Sequence, residues 1–286
     1  MGNGTNRLLF FDMLRIISIG LIVFFHIAIK YLWGPFCSDP VIFNIFHLGL
    51  GAIGVALLIF VSGAVLEYSH PKLNNSDEVA EFYVKRLFRI YPAFWMSIII
   101  GLVGAPILLL RLRPFYLFLQ VIGFNAWSGG WGGSITEVGW FIGLIVALYF
   151  LFPFLSASIR KYPYTMLFLI TFVEIFTRYA LNTGYFPLLM SSPDRWLPFC
   201  NFLEFGLGIW IVQQGFYPKW TCKSHWIRVL AELSFYVFLI HYLGLMMNLL
   251  NVSLVFYLVA VALVAWLMMT GDQKIQACLK RITGIK

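Results

Sequence analysis

Charged residues are scarce in this 286-residue chain. Asp, Glu, Lys and Arg make up only 11% of it, whereas hydrophobic types make up 61% and aromatic residues alone 19%. Soluble domains carry about 25% charged and about 45–50% apolar residues, so this composition excludes a soluble protein. The apolar stretches have the length of membrane-crossing helices and do not alternate at every second residue. They therefore indicate a helical bundle and not a β-barrel.

Common catalytic signatures are also missing. The sequence contains no P-loop, no GxSxG elbow, no HExxH pair and no dinucleotide-binding fingerprint, so nothing in it indicates nucleotide hydrolysis or zinc proteolysis. A metal site is not expected either, because the four cysteines lack CxxC spacing. They are Cys37, Cys200, Cys222 and Cys278. The net charge of +8 is explained by basic loops beside a membrane, which makes nucleic acid an unexpected partner.

Apolar stretches recur along the whole chain, which we expect to form one integral-membrane domain over residues 1–286. Spans are predicted near 10–29, 45–66, 92–110, 138–156, 164–181, 198–213, 231–248 and 253–270. The stretch FYLFLQVIGFNAW (115–127) is shorter than the ~20 residues of a standard span, which predicts a tilted short helix or a re-entrant segment. The predicted fold is therefore an all-α polytopic bundle of eight to ten transmembrane helices.

The basic residues outside the spans are distributed unevenly. If 115–127 does not cross the membrane, most of them fall on one side. The other side holds only Lys30, Arg111, Arg113, Arg178 and Arg195. Because Lys and Arg mark cytoplasmic loops, this asymmetry predicts a multi-pass protein of the cell membrane with both termini in the cytoplasm.

The first apolar stretch carries three ionisable residues, Asp12, Arg15 and His26. Such residues are costly inside a membrane and mark candidate functional sites. The eleven positions from Arg15 to His26 correspond to about three helical turns, which puts both side chains on one face, roughly 16 Å apart along the axis. A neutral buried imidazole can act as a general base towards a hydroxyl group. The alternative is a structural polar pair that is hydrogen-bonded across helices.

A second candidate site lies in EFYVKRLFRIYPAFW (81–95), which predicts an interfacial helix that runs into the third span from Pro92. Arg86 and Arg89 are three residues apart and share a face of this helix. Guanidinium groups bind phosphate oxygens bidentately. We therefore expect a phosphate group at this place, either from a bound ligand or from a membrane lipid.

Other polar residues in or beside the spans are weaker candidates for contact with a substrate or for support of the site. They are His47, Ser62, Glu137, Glu204 and His241. Ser62 belongs to a glycine-rich stretch (49–68) in which close helix packing is the simpler explanation. Glu204 could form an ion pair with Arg15, and His241 is either a second polar site or a satisfied buried histidine.

Five of these segments, in their order along the chain, resemble the acyltransferase 3 family of multi-pass membrane acyltransferases. FFDMLRIISIGLIVFFH is similar to the family's opening motif, in which ten residues separate an arginine from a histidine, here Arg15 and His26. GAIGVALLIFVSGAVL, KRLFRIYPAFW and WFIGLIVALYFLFP resemble its glycine-rich segment, its R-x-x-R-I-Y-P element and its tryptophan-led helix, which begins here at Trp140. LSFYVFLIH is similar to a late helix that ends in a histidine, here His241.

The resemblance implies transfer of an acyl group, usually acetyl, from cytoplasmic acetyl-coenzyme A to a hydroxyl of a sugar, a glycan or a lipid-linked acceptor. It also implies that His26 and Arg15 are catalytic, with His26 as a base or a transient acyl carrier, and that Arg86 and Arg89 hold the coenzyme A donor. One position departs from the pattern: Ile145 stands where many members carry a Glu, a role that Glu137 could take over.

A different class of protein is the alternative. In a proton-coupled transporter or exporter of a glycan or lipid, the buried residues His26, Arg15 and Glu204 would form a proton relay. Such transporters often contain inverted repeats with broken helices in both halves, and the sequence shows no repeat of this kind.

Overall fold

The structure is a computed structural model that describes residues 8–32, 47–73, 75–104, 113–128, 135–183, 195, 197–220 and 224–284. The regular structure within these ranges is helical throughout. Its α-helices are α1 (Leu9–Leu32), α2 (Ile53–Ser69), α3 (Ser76–Gly104), α4 (Pro114–Ile122), α5 (Gly139–Lys161), α6 (Pro163–Asn182), α7 (Phe202–Gln213), α8 (His225–Met246), α9 (Leu249–Val252) and α10 (Leu254–Thr283). A π-helical turn (His47–Ala52) precedes α2, and 3-10 turns lie at Asn125–Ser128 and Pro198–Cys200.

Among the described residues, seven helices are long and apolar enough to cross a membrane, namely α1, α2, α3, α5, α6, α8 and α10. This confirms the prediction of a polytopic all-α bundle. The remaining predicted span, 198–213, forms the 12-residue helix α7. At ~1.5 Å per residue α7 is about 18 Å long, which is shorter than the ~30 Å of a bilayer core.

The ends of the spanning helices fall into two groups, so the bundle has two ends. At one end, the amide of Leu9 at the start of α1 donates to the carbonyl oxygen of Trp220 after α7 (3.0 Å). At the other end, Lys30 near the end of α1 contacts Asn248 just after α8 (3.4 Å). We call the first the basic end, because it holds the start of α3 with Lys85 and Arg86, and the second the cavity end.

α3 joins two predicted pieces into one helix. The interfacial helix over 81–95 and the third span had been expected to meet at Pro92, whereas α3 continues through this residue from Ser76 to Gly104. Proline removes one backbone donor from a helix interior. The surrounding packing compensates, since Pro92, Ala93 and Phe94 are all buried.

The segment between α3 and α5 starts and finishes at the cavity end. α3 ends at Gly104 and α5 begins at Gly139. A Cβ placed on Gly101 would lie 2.9 Å from the side chain of Ile135, so the two flanking regions are in contact. The end of α3 and the start of α5 therefore lie on the same side of the bundle.

α4 lies between α3 and α5 in the sequence, and its last turn contacts the middle of α3. Tyr91 donates from its hydroxyl to the carbonyl oxygen of Ile122 (2.9 Å). Trp95 donates from Nε1 to that of Val121 (2.9 Å). Gly123, at φ +79°, then reverses the chain in a conformation that favours glycine. α4 has nine residues, so this stretch is shorter than a standard span, as the sequence predicts.

Glycines allow α2 and α7 to pack backbone against backbone. A Cβ on Gly63 would overlap the carbonyl oxygen of Phe205, and one on Gly208 would overlap that of Phe60. Small residues permit this close approach between membrane helices, as the glycine-rich stretch predicted. At the basic end, Gln213 of α7 donates to the carbonyl oxygen of Ser156 in α5 (3.0 Å). The last turn of α7 therefore lies at the basic end.

We predict that Gly208→Ala destabilises the protein by about 1–3 kcal/mol, because the new methyl group must push α2 away from α7. The measurement is the thermal unfolding midpoint of the purified protein in detergent. Gly20→Ala is the matched control, since a Cβ at this exposed position of α1 meets nothing within 4 Å. Equal unfolding midpoints for the two variants would contradict the predicted contact.

Candidate active site

His26 of α1 and His241 of α8 meet side by side, although 215 positions separate them in the sequence. Nε2 of His241 lies 3.1 Å from Nδ1 of His26, and the ring centroids are 5.0 Å apart. Nδ1 of His26 is also 2.9 Å from the carbonyl oxygen of Ile22. Tyr242 packs edge-on against the His26 ring at 5.2 Å. The structure thus brings together two histidines that the sequence presented as separate candidates.

A cavity of about 680 Å³ borders His26 on the side of the cavity end. This volume lies within the range of about 300–1,000 Å³ that is typical of small-molecule sites. The wall includes three further residues that the sequence had indicated, Glu137, Trp140 and Glu204. Aromatic, charged and amide side chains contribute to it. Among the other wall residues are Phe25, Lys30, Arg178, Asn201, Phe238 and Tyr242.

Glu174 and Arg178 of α6 support the cavity wall beside Glu204. Arg178 donates from Nε to Glu174 Oε1 (3.1 Å) and from a terminal nitrogen to the carbonyl oxygen of Cys200. The other oxygen of Glu174 accepts from the amide of Leu203 in the first turn of α7 (2.9 Å). The carboxylate thereby satisfies a backbone donor at a helix start that lies inside the bundle. The sequence did not point to this role for Arg178.

The predicted ion pair between Glu204 and Arg15 is wrong. Glu204 lies at the cavity wall, and its buried Oε2 atom has no hydrogen-bond partner in the described part of the chain. Arg15 lies in the second turn of α1, towards the basic end, where its guanidinium is 4.0 Å from the carboxylate of Asp12. Because α7 starts at the depth of the cavity, its first turn is too far along the bundle to reach Arg15.

Arg15 and His26 occupy the face of α1 that packs into the bundle. Positions Ser18 and Ile22 on this face are buried, whereas Ile17 and Phe24 on the opposite face are exposed. The side chain of Arg15 retains 24% of its exposure. The shared face predicted from the spacing is therefore present, with Arg15 and His26 about three turns apart.

Arg86 and Arg89 lie one turn apart on α3 in the basic half of the bundle. Nη2 of Arg86 is 3.2 Å from Nδ1 of His70, just beyond α2, and the guanidinium lies over the Phe82 ring at 5.6 Å. Since a guanidinium only donates, His70 must accept and be neutral. Burial, together with the positive charge of Arg86, lowers the pKa of His70 to about 4. Arg89 interacts electrostatically with Tyr236 of α8.

The described residues leave only a small pocket beside Arg86. Its volume is about 10 Å³, which is room for roughly one water molecule. Buried Nε of Arg86 has no hydrogen-bond partner among these residues. The arginine therefore presents an unused donor in the basic half, without a preformed pocket of coenzyme size around it.

The remaining candidates from the sequence lie away from the cavity wall or outside the described residues. Ser62 donates to the carbonyl oxygen of Leu58 in its own helix (2.8 Å), which fits a packing role. Asp12 is buried near Arg15. The side chain of His47 lies outside the described residues. No group of three or more His, Cys, Asp or Glu residues that could hold a metal ion occurs in the ranges that the structure covers.

One buried polar cluster was missed by the sequence analysis. Glu67, near the end of α2, accepts from Arg160 of α5 and from Ser156 Oγ (2.6 Å). Its carboxylate is 2% exposed. The predicted span over 45–66 ends one residue before Glu67, whereas α2 continues to Ser69.

The model of the acyltransferase 3 family, which describes an acyltransferase domain, matches residues 8–221. This range includes the cavity-wall residues of α1, α2, α5, α6 and α7 as well as the arginines of α3. The chain belongs to the acyltransferase 3 family, and it is a membrane-embedded acyltransferase. Neither the comparison with curated proteins nor that with solved structures finds a match.

The cavity makes the stability of the protein depend on pH through Glu137, which stands two residues before α5. Burial raises the pKa of this carboxyl group from 4.5 to about 7. The neutral form thus stabilises the folded state fully below about pH 4.5, and this contribution is lost as the pH rises through about 7. We predict that the unfolding midpoint of the wild type falls relative to that of Glu137→Gln between about pH 5 and pH 8.

Thermal unfolding in detergent across this pH range measures the effect. Asp77→Asn, at an exposed position in the first turn of α3, is the control for loss of a carboxylate. A difference between wild type and Glu137→Gln that stays constant with pH would show that Glu137 does not titrate in this window.

Proposed function

We propose that this protein is an O-acyltransferase that moves an acetyl group from cytoplasmic acetyl-coenzyme A to a hydroxyl of a sugar, a glycan or a lipid-linked acceptor. The proposal rests chiefly on one observation: His26 borders a ligand-sized cavity in a chain that belongs to a family of acyltransferases. A base at the wall of a cavity is what activation of a hydroxyl group requires.

His26 takes the proton of the acceptor hydroxyl in this mechanism. The acceptor oxygen then bonds to the carbonyl carbon of the thioester, the carbon–sulfur bond breaks, and His26 returns the proton to the departing thiolate. The products are an O-acyl ester and free coenzyme A, so that atoms and charges balance. His26 ends in its starting protonation state, as a general base that becomes a general acid should.

The acceptor binds in the cavity. Hydroxyl-rich molecules need hydrogen-bonding partners, and Glu137, Asn201 and Glu204 supply carboxylate and amide groups on its wall. Trp140 and Tyr242 add aromatic surface. Mostly apolar walls with a small number of polar groups are typical of sites that bind small molecules.

The donor approaches from the basic end. Coenzyme A is rich in phosphate, and Arg86 and Arg89 on one face of α3 provide charge-assisted hydrogen bonds for such groups. The excess of Lys and Arg on this side of the predicted topology supports a cytoplasmic location. Arg15 stands about three turns from His26. Its proposed role is therefore electrostatic attraction of the donor at this end and not contact with the hydroxyl that reacts at His26.

We predict that His26→Ala lowers the rate of acyl transfer by about 10²–10⁴-fold, the usual contribution of a general base. The measurement is transfer of label from acetyl-labelled acetyl-coenzyme A to endogenous acceptors in membranes that contain equal amounts of each variant. His225→Ala, at an exposed position at the start of α8, is the control. Wild-type rates for His26→Ala would refute the role of His26.

We predict that Arg86→Ala raises the KM for acetyl-coenzyme A by about tenfold or more, because a hydrogen bond to a charged group contributes about 1.5–3 kcal/mol. Maximal rates should change far less than KM. Arg113→Ala is the control, since Arg113 is exposed at the start of α4 on the other side of the predicted topology. An unchanged KM for Arg86→Ala, or an equal rise in both variants, would contradict the proposed donor site.

A further inference from the structure

The contact between α1 and α8 defines which ring nitrogen of His241 carries the proton. Nδ1 of His241 is 2.7 Å from the carbonyl oxygen of Phe238. A carbonyl oxygen can only accept, so Nδ1 must be the protonated nitrogen. The Nε2 atom of neutral His241 then has a lone pair, and this is the atom that lies 3.1 Å from His26.

The same reasoning defines the tautomer of His26. Its Nδ1 atom lies between two acceptors, the carbonyl oxygen of Ile22 at 2.9 Å and Nε2 of His241 at 3.1 Å. Nδ1 must therefore carry a proton, which the two acceptors share. In the neutral ring the basic nitrogen is then Nε2, on the part of the ring that does not face His241.

We propose that His241 is a positioning residue that holds His26 in the Nδ1–H tautomer, so that Nε2 of His26 accepts the proton of the acceptor hydroxyl. This inference deepens the proposed function and rests on it, because it assigns the reacting nitrogen of the base. The proton moves from the acceptor oxygen to Nε2 of His26 and later to the thiolate sulfur. His241 neither gains nor loses a proton in the cycle.

The surroundings of His241 fit a residue that holds His26 in place and not a residue that binds a ligand. The side chain is fully buried, and it is absent from the residues that form the cavity wall. Tyr257 of α10 donates to the carbonyl oxygen of His241 (3.0 Å), which ties this turn of α8 to the next helix. A histidine whose second nitrogen is held by a neighbouring acceptor keeps one orientation and one tautomer.

Ile22 alone offers a weaker constraint on the His26 ring. Its carbonyl oxygen lies four residues earlier in the same helix, where it is also the acceptor for the backbone amide of His26. The Nε2 atom of His241 comes from a different helix and adds a second acceptor in a defined direction. Removal of His241 should therefore release the ring while leaving α1 intact.

The first test compares two replacements of His241. In His241→Gln, the side-chain amide can still donate to Phe238 and accept from His26, whereas His241→Leu can do neither. We expect His241→Leu to lower the maximal rate of label transfer from acetyl-coenzyme A to endogenous membrane acceptors by about 10–100-fold with little change in KM for the donor. His241→Gln should retain most of the rate, and the control His225→Leu all of it.

Two outcomes of this test would overturn the proposal. One is a wild-type maximal rate for His241→Leu. The other is an equal loss in the Gln and Leu variants when both unfold at the temperature of the wild type. Either result would mean that the acceptor atom of residue 241 has no part in positioning the base.

The second test reads the tautomer directly and needs no acceptor substrate. Nitrogen-15 NMR of histidine-labelled protein distinguishes protonated from unprotonated ring nitrogens, and His26→Asn identifies the His26 signals by their loss. We expect protonated Nδ1 and unprotonated Nε2 at His26 in the wild type, with the other tautomer appearing in His241→Leu. Protonated Nε2 in the neutral wild-type ring would overturn the proposal, whether or not the Leu variant folds.

The two hypotheses fail in different ways. If His26→Ala transfers acetyl groups at the wild-type rate, the proposed role of His26 fails, and the NMR result still reports whether His241 sets the tautomer. If His26→Ala is inactive but the wild-type ring carries its proton on Nε2, the base remains and the positioning role of His241 is lost.

Discussion

A polar side chain inside an apolar bundle must find its partner within the protein, and this constraint orders the whole structure. A buried donor or acceptor without a partner costs about 1–3 kcal/mol. The chain meets this requirement at three levels, with Glu67 and Arg160 at the basic end, His26 and His241 deeper inside, and Glu174 and Arg178 near the cavity end. The first two of these contacts join helices that are distant in sequence, so the polar residues help to define which helices are neighbours.

The cavity lies at the start of a helix that is too short to cross the bundle. α7 has only 12 residues and runs from the depth of the cavity to the basic end. Irregular backbone is tolerated at membrane depth where it is buried in protein or lines a cavity. Asn201 and Glu204, at the start of α7, meet both conditions, since Asn201 is buried and both residues line the cavity wall. The start of the short helix α7 therefore forms part of the wall of the cavity that borders His26.

The sequence predicted the features that depend on local pattern. Hydropathy identified the spanning helices and the short apolar stretch at 115–127, and helical periodicity placed Arg15 and His26 on one face. The sequence could not predict contacts between helices that lie far apart along the chain. The contact between His241 and His26 could not be predicted, because packing determines which helices of a bundle are neighbours. The ion pair between Glu204 and Arg15 was wrong, since the depth at which α7 begins depends on its packing against α2, which a local pattern does not show.

In this account the donor reaches the bundle at the cytoplasmic, basic end, and transfer depends on His26. The most direct measurement uses sealed membrane vesicles of both orientations, supplied from outside with acetyl-labelled acetyl-coenzyme A. The account predicts label on membrane acceptors in inside-out vesicles, none in right-side-out vesicles, and none in inside-out vesicles that contain His26→Ala. Equal labelling in both orientations, or labelling by His26→Ala at the wild-type level, would contradict it.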